Sequence, residues 1–478
     1  NHGNCGARFK DRGGIEFLIG GPYQGGEGEL SVDPRKVAGT PSGDGHVWVG
    51  GFAAKMNPDG SRVKIIGHGF RNSYEHTVTS FGDVFQNDND DPPACRTTWL
   101  MEGGFLGFFS PDGKRSWRAD RRPGQNVPEA QWRQWDPGTL PPGDVYGGGS
   151  PTGICFYENG ALPSRYAGLL ASCDAGRREV LGYYPVPEGS SFKLARFEFI
   201  KSASDYLFRP SDIMVGADGA LYLSDWFDPG VGGHNTLDGS CSGTIYRLAP
   251  RGFRPRIPEA APDSIEGAIA LLCSPAQNVR HLGFKALEAA GEKALPAVRE
   301  LLGHYNGYVQ ARAVWLLPLL GPEGLRITRA LLDSPDAQTR LLAFRSLRNA
   351  GEDPLKLAGK FYASEPDPAV RREVALSLRD APVQRKAIYL GYLLQRCRAD
   401  DRTYLEACGL GAEGAEEIIW GNVRNSARIV NALEWPDAFA RITWRLHPSA
   451  ATGALVERAL SETLSPEARL LAVETLAF

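Results

Sequence analysis

The chain has 478 residues, of which 42% are apolar and 23% are charged, and its formal net charge is −3. This composition excludes an intrinsically disordered chain, because disorder requires low hydrophobicity together with high net charge. The near-zero charge argues against a nucleic-acid partner, and no apolar run approaches the ~18 residues of a membrane span, so we expect globular domains with no transmembrane segment in this chain.

Residues 1–255 are rich in glycine and in short turn motifs. Most of the 57 glycines lie in this part. Asp-Gly turns at 57–60, 110–113 and 216–219 predict β-hairpins. Runs such as Val84-Phe85 and Ala220-Leu221-Tyr222-Leu223 are typical of strand interiors. Many short strands with frequent turns indicate a sandwich, a barrel or a propeller.

An internal repeat selects among these all-β folds. Its two stronger copies each begin with Phe-Arg and end with Asp, and a third copy is weaker. The copies run over residues 70–88, 150–174 and 208–225. Self-similar units are typical of propeller blades, and a closed propeller needs at least about four. We therefore predict a β-propeller over residues 1–255 that is N-terminally incomplete in this chain, with further blades upstream of Asn1.

The pattern becomes helical after a Pro- and Arg-rich stretch at 251–262. Ala- and Leu-rich segments recur with an Arg or Gln at positions 280, 310, 340 and 371, which is a period of 30 to 31 residues. Each unit has a turn rich in Pro, Asp and Asn followed by an amphipathic helix. The sequence therefore predicts a multidomain protein in which residues 256–478 form an α-solenoid of HEAT type.

Eight cysteines are scattered along the chain without a Cys-x-x-Cys pair. This excludes the common zinc knuckles and a Cys-x-x-Cys-His haem attachment within these residues. Buried free thiols are the favoured interpretation, and a disulfide in an oxidising compartment is the alternative.

Three arginines form the first candidate site. Arg71 and Arg209 occupy equivalent repeat positions near the start of a strand, and Arg177 follows the end of the third copy. If the repeats are blades, these guanidinium groups converge near the axis and suit a compact polycarboxylate cofactor. The alternative is that each arginine pairs with a carboxylate of its own blade or supports a turn.

A run of acidic and amide side chains forms the second candidate site. Its candidate ligands are Asn87, Asp88, Asn89 and Asp91. Clustered carboxylate and amide oxygens suit a hard cation, with calcium as the first choice. The run lacks the glycine and distal glutamate of an EF-hand loop, and a solvated acidic turn is the alternative.

A glycine-rich loop after a predicted strand forms the third candidate site. His234 on this loop could serve as a general base, with Asp228 as the residue that orients it. The alternative is a turn whose polar groups bind one another. The basic and aromatic segment 117–135 is either a stacking platform or an insertion packed over the propeller mouth.

Several long motifs carry a resemblance to a known family. They run over residues 67–74, 81–90, 101–104, 149–153, 173–177 and 208–234. They resemble the PVC-type membrane-bound dehydrogenases, which are large bacterial proteins with a propeller, a HEAT solenoid and a C-terminal cytochrome c domain. The propeller of that family is in turn similar to quinoprotein glucose and sorbosone dehydrogenases, which hold pyrroloquinoline quinone and calcium.

The resemblance implies roles for the candidate residues. Arg71 and Asn72 match an Arg-Asn pair that contacts the quinone, and Arg177 and Arg209 match further basic positions at that cofactor. The segment 87–91 matches a region that supplies calcium and quinone contacts. Two features of the family are missing here, because its catalytic histidine lies in an earlier blade and this chain has no haem motif.

The first hypothesis is a quinoprotein-like dehydrogenase in the periplasm or cell envelope. It would oxidise a sugar or polyol with pyrroloquinoline quinone and calcium, and pass electrons to a c-type cytochrome, fused downstream or separate. The second hypothesis is a non-catalytic scaffold that binds carbohydrate or protein and uses its solenoid for further protein partners. A third is a calcium-dependent hydrolase or lactonase that uses His234.

Overall fold

The structure is a computed structural model that describes residues 7–21, 34–115, 121–204, 206–231, 243–256, 259 and 261–478, without the side chains of residues 91 and 92. A β-sheet part runs from Ala7 to Leu248 and a helical part from Ile265 to Ala477. This order confirms the predicted β-rich first part and helical second part.

Two three-stranded sheets come first. They consist of β1 (Ala7–Lys10), β2 (Glu16–Gly20) and β3 (Trp48–Val49), then of β4 (Gly51–Lys55), β5 (Lys64–Phe70) and β9 (Gly104–Phe105). The last strand of each sheet pairs in parallel with its neighbour, β3 with β2 and β9 with β5. The sequence repeat did not reveal these sheets, but the turn predicted at 57–60 joins the antiparallel strands β4 and β5 and is closed by a bond from the Gly60 N–H to the Asn57 carbonyl of 2.9 Å, which confirms that hairpin.

The three repeat copies correspond to three antiparallel sheets. The third sheet has β6 (Ser73–Val78), β7 (Val84–Asp88), β8 (Cys95–Leu100) and β10 (Asp144–Gly147). The fourth has β11 (Pro151–Tyr157), β12 (Leu169–Asp174), β13 (Glu179–Tyr183) and β16 (Phe197–Lys201). The fifth has β17 (Pro210–Val215), β18 (Leu221–Asp225) and β19 (Thr244–Leu248), and β14 (Val186–Glu188) with β15 (Ser191–Lys193) forms a separate hairpin.

The first strands of these three sheets, β6, β11 and β17, lie side by side. Gly153 of β11 permits this close approach, because a Cβ placed there would lie 2.5 Å from the Cα of Asp212 on β17. The predicted turn at 216–219 joins β17 to β18 and is closed by a bond from the Gly219 N–H to the Gly216 carbonyl of 2.9 Å. The turn at 110–113 also forms, with a bond from the Gly113 N–H to the Ser110 carbonyl of 2.8 Å; the hairpin predicted there stays a prediction, because residues 116–120 lie outside the described part of the chain.

Three short helices lie within the β-sheet part, and the remaining helices build the helical part. The short ones are α1 (Pro34–Val37), α2 (Asp91–Ala94) and α3 (Val127–Gln131). The helical part contains α4 (Ile265–Leu272), α5 (Gln277–Ala290), α6 (Leu295–Glu300), α7 (Gly307–Leu316), α8 (Pro322–Ala330), α9 (Ala337–Asn349), α10 (Pro354–Phe361), α11 (Pro368–Ser377), α12 (Val383–Leu394), α13 (Arg402–Gly411), α14 (Glu416–Ser426), α15 (Asp437–Leu446), α16 (Thr452–Leu460) and α17 (Pro466–Ala477).

The predicted turns are the helix starts. Asp336 caps α9 by accepting from the Thr339 N–H at 2.8 Å, and Asp367 caps α11 by accepting from the Ala369 N–H at 2.9 Å. Such caps satisfy N–H groups that have no partner within the helix. Helices α5, α7, α9, α11, α13, α15 and α17 pack in succession as one row.

This row of helices contacts the β-sheet part through arginines. Helices α5, α7, α9, α11 and α13 each contribute one arginine. These arginines bind, in order, as follows: Arg280 to Glu158, Arg312 to Glu158, Arg345 to Asp83, Arg372 to the Ser190 carbonyl and Arg402 to the Asp136 carbonyl. The largest apolar cluster also spans both parts, because it includes Phe85 and Trp99 of the sheets and Phe344 of α9. The two parts therefore share one core. Among the described residues, no helix combines the length and the hydropathy that crossing a bilayer requires.

Candidate functional site

The candidate site lies at one end of the third, fourth and fifth sheets. Antiparallel pairing brings the start of the first strand of each sheet next to the end of its second strand. Thr152 at the start of β11 donates to the Pro210 carbonyl at 2.8 Å and accepts at its own carbonyl from Asn87 Nδ2 at 2.7 Å. These bonds hold the equivalent ends of all three sheets together.

A buried aspartate closes this end of each sheet. Asp88 is fully buried and accepts from the backbone N–H of Asn72 at 2.7 Å and of Arg71 at 3.2 Å. The two other repeat copies use the same device: Asp174 accepts from the N–H of Ser150 at 2.8 Å and of Arg177 at 2.8 Å, and Asp225 accepts from the N–H of Arg209 at 2.7 Å. The aspartate that ends each repeat copy therefore binds the backbone N–H of a candidate arginine and holds that residue in place.

Arg71 binds groups of its own sheet. Its Nε lies 3.1 Å from Asp90 Oδ1, and its Nη1 donates to the Asn89 carbonyl at 2.7 Å. Asp90 is itself held by the side chains of Gln131 and Trp132, the latter through its indole N–H at 2.6 Å. The Arg71 side chain keeps 20% of its surface exposed, so a ligand at this end of the sheets can reach it.

Arg177 lies on the loop between β12 and β13. Its Nε pairs with Glu179, its Nη1 donates to the Gly148 carbonyl at 3.3 Å, and its guanidinium lies 5.7 Å from the Tyr146 ring. The side chain is 36% exposed. The Arg177 side chain therefore packs against the end of the third sheet and still faces solvent at the same end as Arg71.

Arg209 is a different case. It is 7% exposed, and its guanidinium donates to the carbonyls of Asp228 at 2.8 Å, Ala175 at 3.2 Å and Pro229 at 3.0 Å. These bonds tie the loop after β18 to the loop after β12. They make Arg209 a support of the loops, which was the alternative interpretation from the sequence.

The segment proposed for calcium is mostly buried. Asn87 is fully buried and donates to Thr152 and to Ser172 Oγ at 3.0 Å, while Asn89 Oδ1 accepts from Cys95 Sγ at 3.5 Å. The side chain of Asp91 lies outside the described residues. Among the residues that are described, no three His, Cys, Asp or Glu side chains are grouped to hold a metal ion.

Two buried oxygens near this segment make no hydrogen bond with the described part of the chain: Asn87 Oδ1 and Asp174 Oδ2. Ser172, which binds Asn87, precedes Asp174 by two residues on β12, so both of these side chains point to the same face of the strand. Burial raises the pKa of Asp88 to about 7 and also raises the pKa of Asp174. A cation at this place would stabilise both carboxylates, so the oxygens present fit a hard cation.

The loop that follows β18 holds the predicted acid–base pair. His234 lies outside the described residues. Asp228 is 1% exposed, and its carboxylate accepts from the Gly230 N–H at 2.8 Å and from the Trp226 indole N–H at 3.2 Å. Its described contacts stabilise the turn.

Sequence reasoning missed Arg96, a buried charged residue of this site. Arg96 of β8 is fully buried, and its guanidinium lies 3.6 Å from the centre of the Trp132 ring. Burial lowers the pKa of Arg96 to about 10, and the charges of Asp88 and Asp90 oppose that shift. The repeat had already aligned Asp88 with Asp174, whereas no sequence signal distinguishes Arg96 from a surface arginine.

Part of the segment 117–135, of which residues 121–135 are described, packs at this same end. Trp132 is fully buried against Asp90, and Arg133 is 1% exposed and donates to the Phe108 carbonyl at 2.9 Å. Residues 116–120 are not described. Residues 130–133 therefore correspond to a packed insertion, whereas Arg121 is exposed, and the stacking platform stays a prediction because Trp117 lies outside the described residues.

No disulfide joins the six described cysteines, which are Cys95, Cys155, Cys173, Cys273, Cys397 and Cys408. Burial raises the pKa of Cys95 and Cys155 to about 12, which makes them poor nucleophiles. Cys5 and Cys241 lie outside the described residues.

Comparison with known proteins identifies one family model. A domain of unknown function, DUF7133, matches residues 33–248, which is less than half of the chain. No curated protein matches the chain.

Parts of several solved structures are similar to this chain. A glucose dehydrogenase-type oxidoreductase from Thermus thermophilus is 16% identical over 38% of this chain and 46% of its own, with a TM-score of 0.27. The soluble aldose sugar dehydrogenase of Escherichia coli is 17% identical over 51% and 63%, with a TM-score of 0.29. The PQQ domain of a pyranose dehydrogenase from Coprinopsis cinerea is 14% identical over 46% and 67%, with a TM-score of 0.27. The chain spans about half to two thirds of the length of these structures, and at these TM-scores we base no function on them.

Proposed function

We propose that this chain is part of a quinoprotein-like dehydrogenase that oxidises a sugar or polyol. The observation that carries the proposal is the position of Arg71 and Arg177 at one end of adjacent sheets, each partly exposed, above the buried carboxylates of Asp88 and Asp174. Several arginines beside hard oxygen donors suit a polycarboxylate cofactor and its cation. The residues that the resemblance to quinoprotein dehydrogenases assigns to the cofactor lie at this same end of the sheets.

In this proposal the β-sheet part is a propeller and the helical part a HEAT-type solenoid. Pyrroloquinoline quinone, when bound, would supply the oxidising group that accepts a hydride from the substrate. Arg71 and Arg177 would bind its carboxylates, and Asn72 would lie beside it. Asn87 Oδ1 and Asp174 Oδ2 would face the calcium ion, while Arg209 would keep the two loops in place.

The residues of the chain contribute binding and orientation. The Asp88 carboxylate holds the backbone of Arg71 and Asn72, so the position of both side chains depends on it. The histidine base of the related enzymes would come from elsewhere in the protein. Electrons would pass to a c-type cytochrome, and the compartment would be the periplasm or the cell envelope.

The test is a calorimetric titration of pyrroloquinoline quinone into the protein in the presence of calcium. We expect micromolar or tighter binding that weakens at least tenfold in Arg71→Ala and in Arg177→Ala. Arg165→Ala is the matched control, because Arg165 is exposed in the connection between β11 and β12, and its guanidinium contacts the neighbouring Tyr166, with the hydroxyl at 3.4 Å and the ring centre at 4.7 Å. Arg209→Ala is unsuitable, since it removes three bonds between loops.

Two results would contradict the proposal. The first is no quinone binding by a folded protein with calcium present, which would make the non-catalytic scaffold the working hypothesis. The second is equal binding by the two arginine variants and the control. Turnover of a lactone with calcium alone would instead favour the hydrolase hypothesis.

A further inference from the structure

An aromatic patch lies on the second row of helices in the helical part. Helices α10, α12 and α14 pack against one another and against the row that contacts the β-sheets. The ring centre of Tyr362, at the end of α10, lies 4.6 Å from that of Tyr389 and 5.2 Å from that of Tyr392, both on α12. Ile388 precedes Tyr392 by about one helical turn, so the two share a face of α12. These four residues are called the tyrosine patch below.

Packing within the chain accounts for only part of this patch. Tyr362 and Tyr389 are partly buried against the large apolar core. Ile388 and Tyr392 keep 56% and 49% of their surface exposed, although both are large apolar side chains. Single exposed apolar residues need no explanation, whereas apolar residues grouped on a surface mark an interaction site. The exposed side of the tyrosine patch is therefore available to a partner.

Positive charge surrounds the patch. Helix α10 carries Lys356 and Lys360 and helix α12 carries Arg385 and Lys386, whereas neither helix contains an acidic residue. Lys386 is buried, and Lys360 pairs with Asp333 at 2.6 Å. Lys356 and Arg385 are exposed and form no ion pair with the residues that the structure describes. The two helices therefore present positive charge that their own side chains do not neutralise.

The position of Arg385 links this charge to the aromatic rings. Arg385 precedes Ile388 by three residues and Tyr389 by four, and residues at these spacings are neighbours on a helix surface. A carboxylate that binds Arg385 would therefore bring the group that carries it next to the tyrosine patch.

The geometry of the rings favours a protein partner over a sugar. The Tyr389 and Tyr392 rings meet the Tyr362 ring at 47° and 77°, so the surface is uneven and offers no flat platform for a sugar ring. Tyrosine and arginine contribute much of the energy of protein interfaces, because they combine a large apolar surface with polar groups. The positive charge selects a partner of the opposite charge.

We propose that the tyrosine patch binds an acidic segment of a protein partner. Apolar side chains of that segment would pack on Ile388 and Tyr392, and its carboxylates would bind Lys356 and Arg385. The β-sheets already cover the other row of helices, so the second row is the side of the helical part on which a partner can dock. The inference does not depend on the proposed quinone site.

Fluorescence anisotropy of labelled peptides mixed with the intact chain tests this inference. The probe is a short peptide of glutamate and leucine residues, and its two counterparts replace glutamate by lysine or leucine by serine. We expect the glutamate–leucine peptide to bind and both counterparts to bind at least tenfold more weakly. Added salt should weaken the binding, because it screens charges that are exposed to solvent.

Two variants locate the binding surface. Tyr392→Ser and Arg385→Glu should each weaken binding of the glutamate–leucine peptide at least fivefold, and circular dichroism checks that both variants stay folded. Tyr305→Ser is the control for the first, because Tyr305 is 94% exposed and precedes α7. Arg469→Glu is the control for the charge reversal, because Arg469 is exposed on α17.

Three results would overturn the proposal. They are no binding of the glutamate–leucine peptide by the folded protein, equal binding of the lysine counterpart, and equal binding by the variants and their controls. Binding of cellobiose that Tyr392→Ser abolishes, without peptide binding, would also overturn it and would identify the patch as a carbohydrate-binding surface.

Discussion

Glu158 joins the two parts of the molecule by binding arginines of two neighbouring helices. It lies directly after β11 with 1% of its side chain exposed. Its carboxylate accepts from the Ser80 N–H at 2.5 Å and hydroxyl at 2.6 Å, from Arg280 Nη1 at 2.5 Å and from Arg312 Nη2 at 2.8 Å. Glu158→Gln keeps the volume of the side chain but leaves the buried Arg312 and the largely buried Arg280 without their carboxylate.

Removing one partner of a buried ion pair typically costs about 3–5 kcal/mol. We expect a value near the lower end, about 3 kcal/mol, because the guanidinium of Arg312 keeps bonds to the carbonyls of Leu272 at 3.0 Å and Ser274 at 3.1 Å. The assay is urea unfolding followed by tryptophan fluorescence and circular dichroism, with the first transition compared between variants. Since the carboxylate joins the two parts, that transition should move to lower urea.

Glu323→Gln is the matched control. Glu323 forms an exposed pair with Arg326 on α8, with 47% and 68% of the two side chains accessible, and solvent screens such a pair so that it contributes little to stability. A loss of stability in Glu158→Gln no larger than in Glu323→Gln would refute the reasoning. It would mean that the arginine row does not hold the helical part in place.

Two further predictions concern other contacts. Hydrogen bonds that His46 donates to Asp380 and then to Glu413 raise its pKa to about 9. Protonated His46 therefore stabilises the fold fully below pH ~6.5 and loses that contribution as pH rises through about 9. The unfolding midpoint of the wild-type protein should therefore decrease between pH 6.5 and about 9, and this decrease should be smaller in His46→Gln. An identical pH dependence in the two proteins would contradict the stabilising role of protonated His46. Gly153→Ala should lower stability by about 1–3 kcal/mol in thermal unfolding, because its Cβ would meet the Asp212 backbone at 2.5 Å. An unchanged unfolding midpoint would show that β11 and β17 can separate without cost.

The candidate site was only partly accessible to sequence reasoning. The repeat identified the ends of three sheets, so it placed Arg71, Arg177 and Arg209 at one end of the molecule. It could not show that Arg209 is occupied by three backbone carbonyls, because those carbonyls belong to two loops that are distant in sequence. The sequence also could not predict the raised pKa of Asp88, because that shift follows from the burial of the side chain in the tertiary structure.

The sequence by itself determined the local structure. Hairpin turns such as 216–219 and caps such as Asp367 are decided by residues within a few positions of one another, so their signals are complete in the printed chain. The order of a β-rich part and a helical part follows from periodicity in the same way.

Only the tertiary structure decided which side chains meet. Glu158 and Arg312 are separated by more than 150 residues, and nothing local distinguishes them from a surface acid and a surface base. Packing the helices on the sheets removes water from both side chains, so removing one partner leaves a buried charge without compensation, whereas an exposed pair can be broken at little cost. The same burial leaves Arg372 and Trp99 with donors that water no longer reaches.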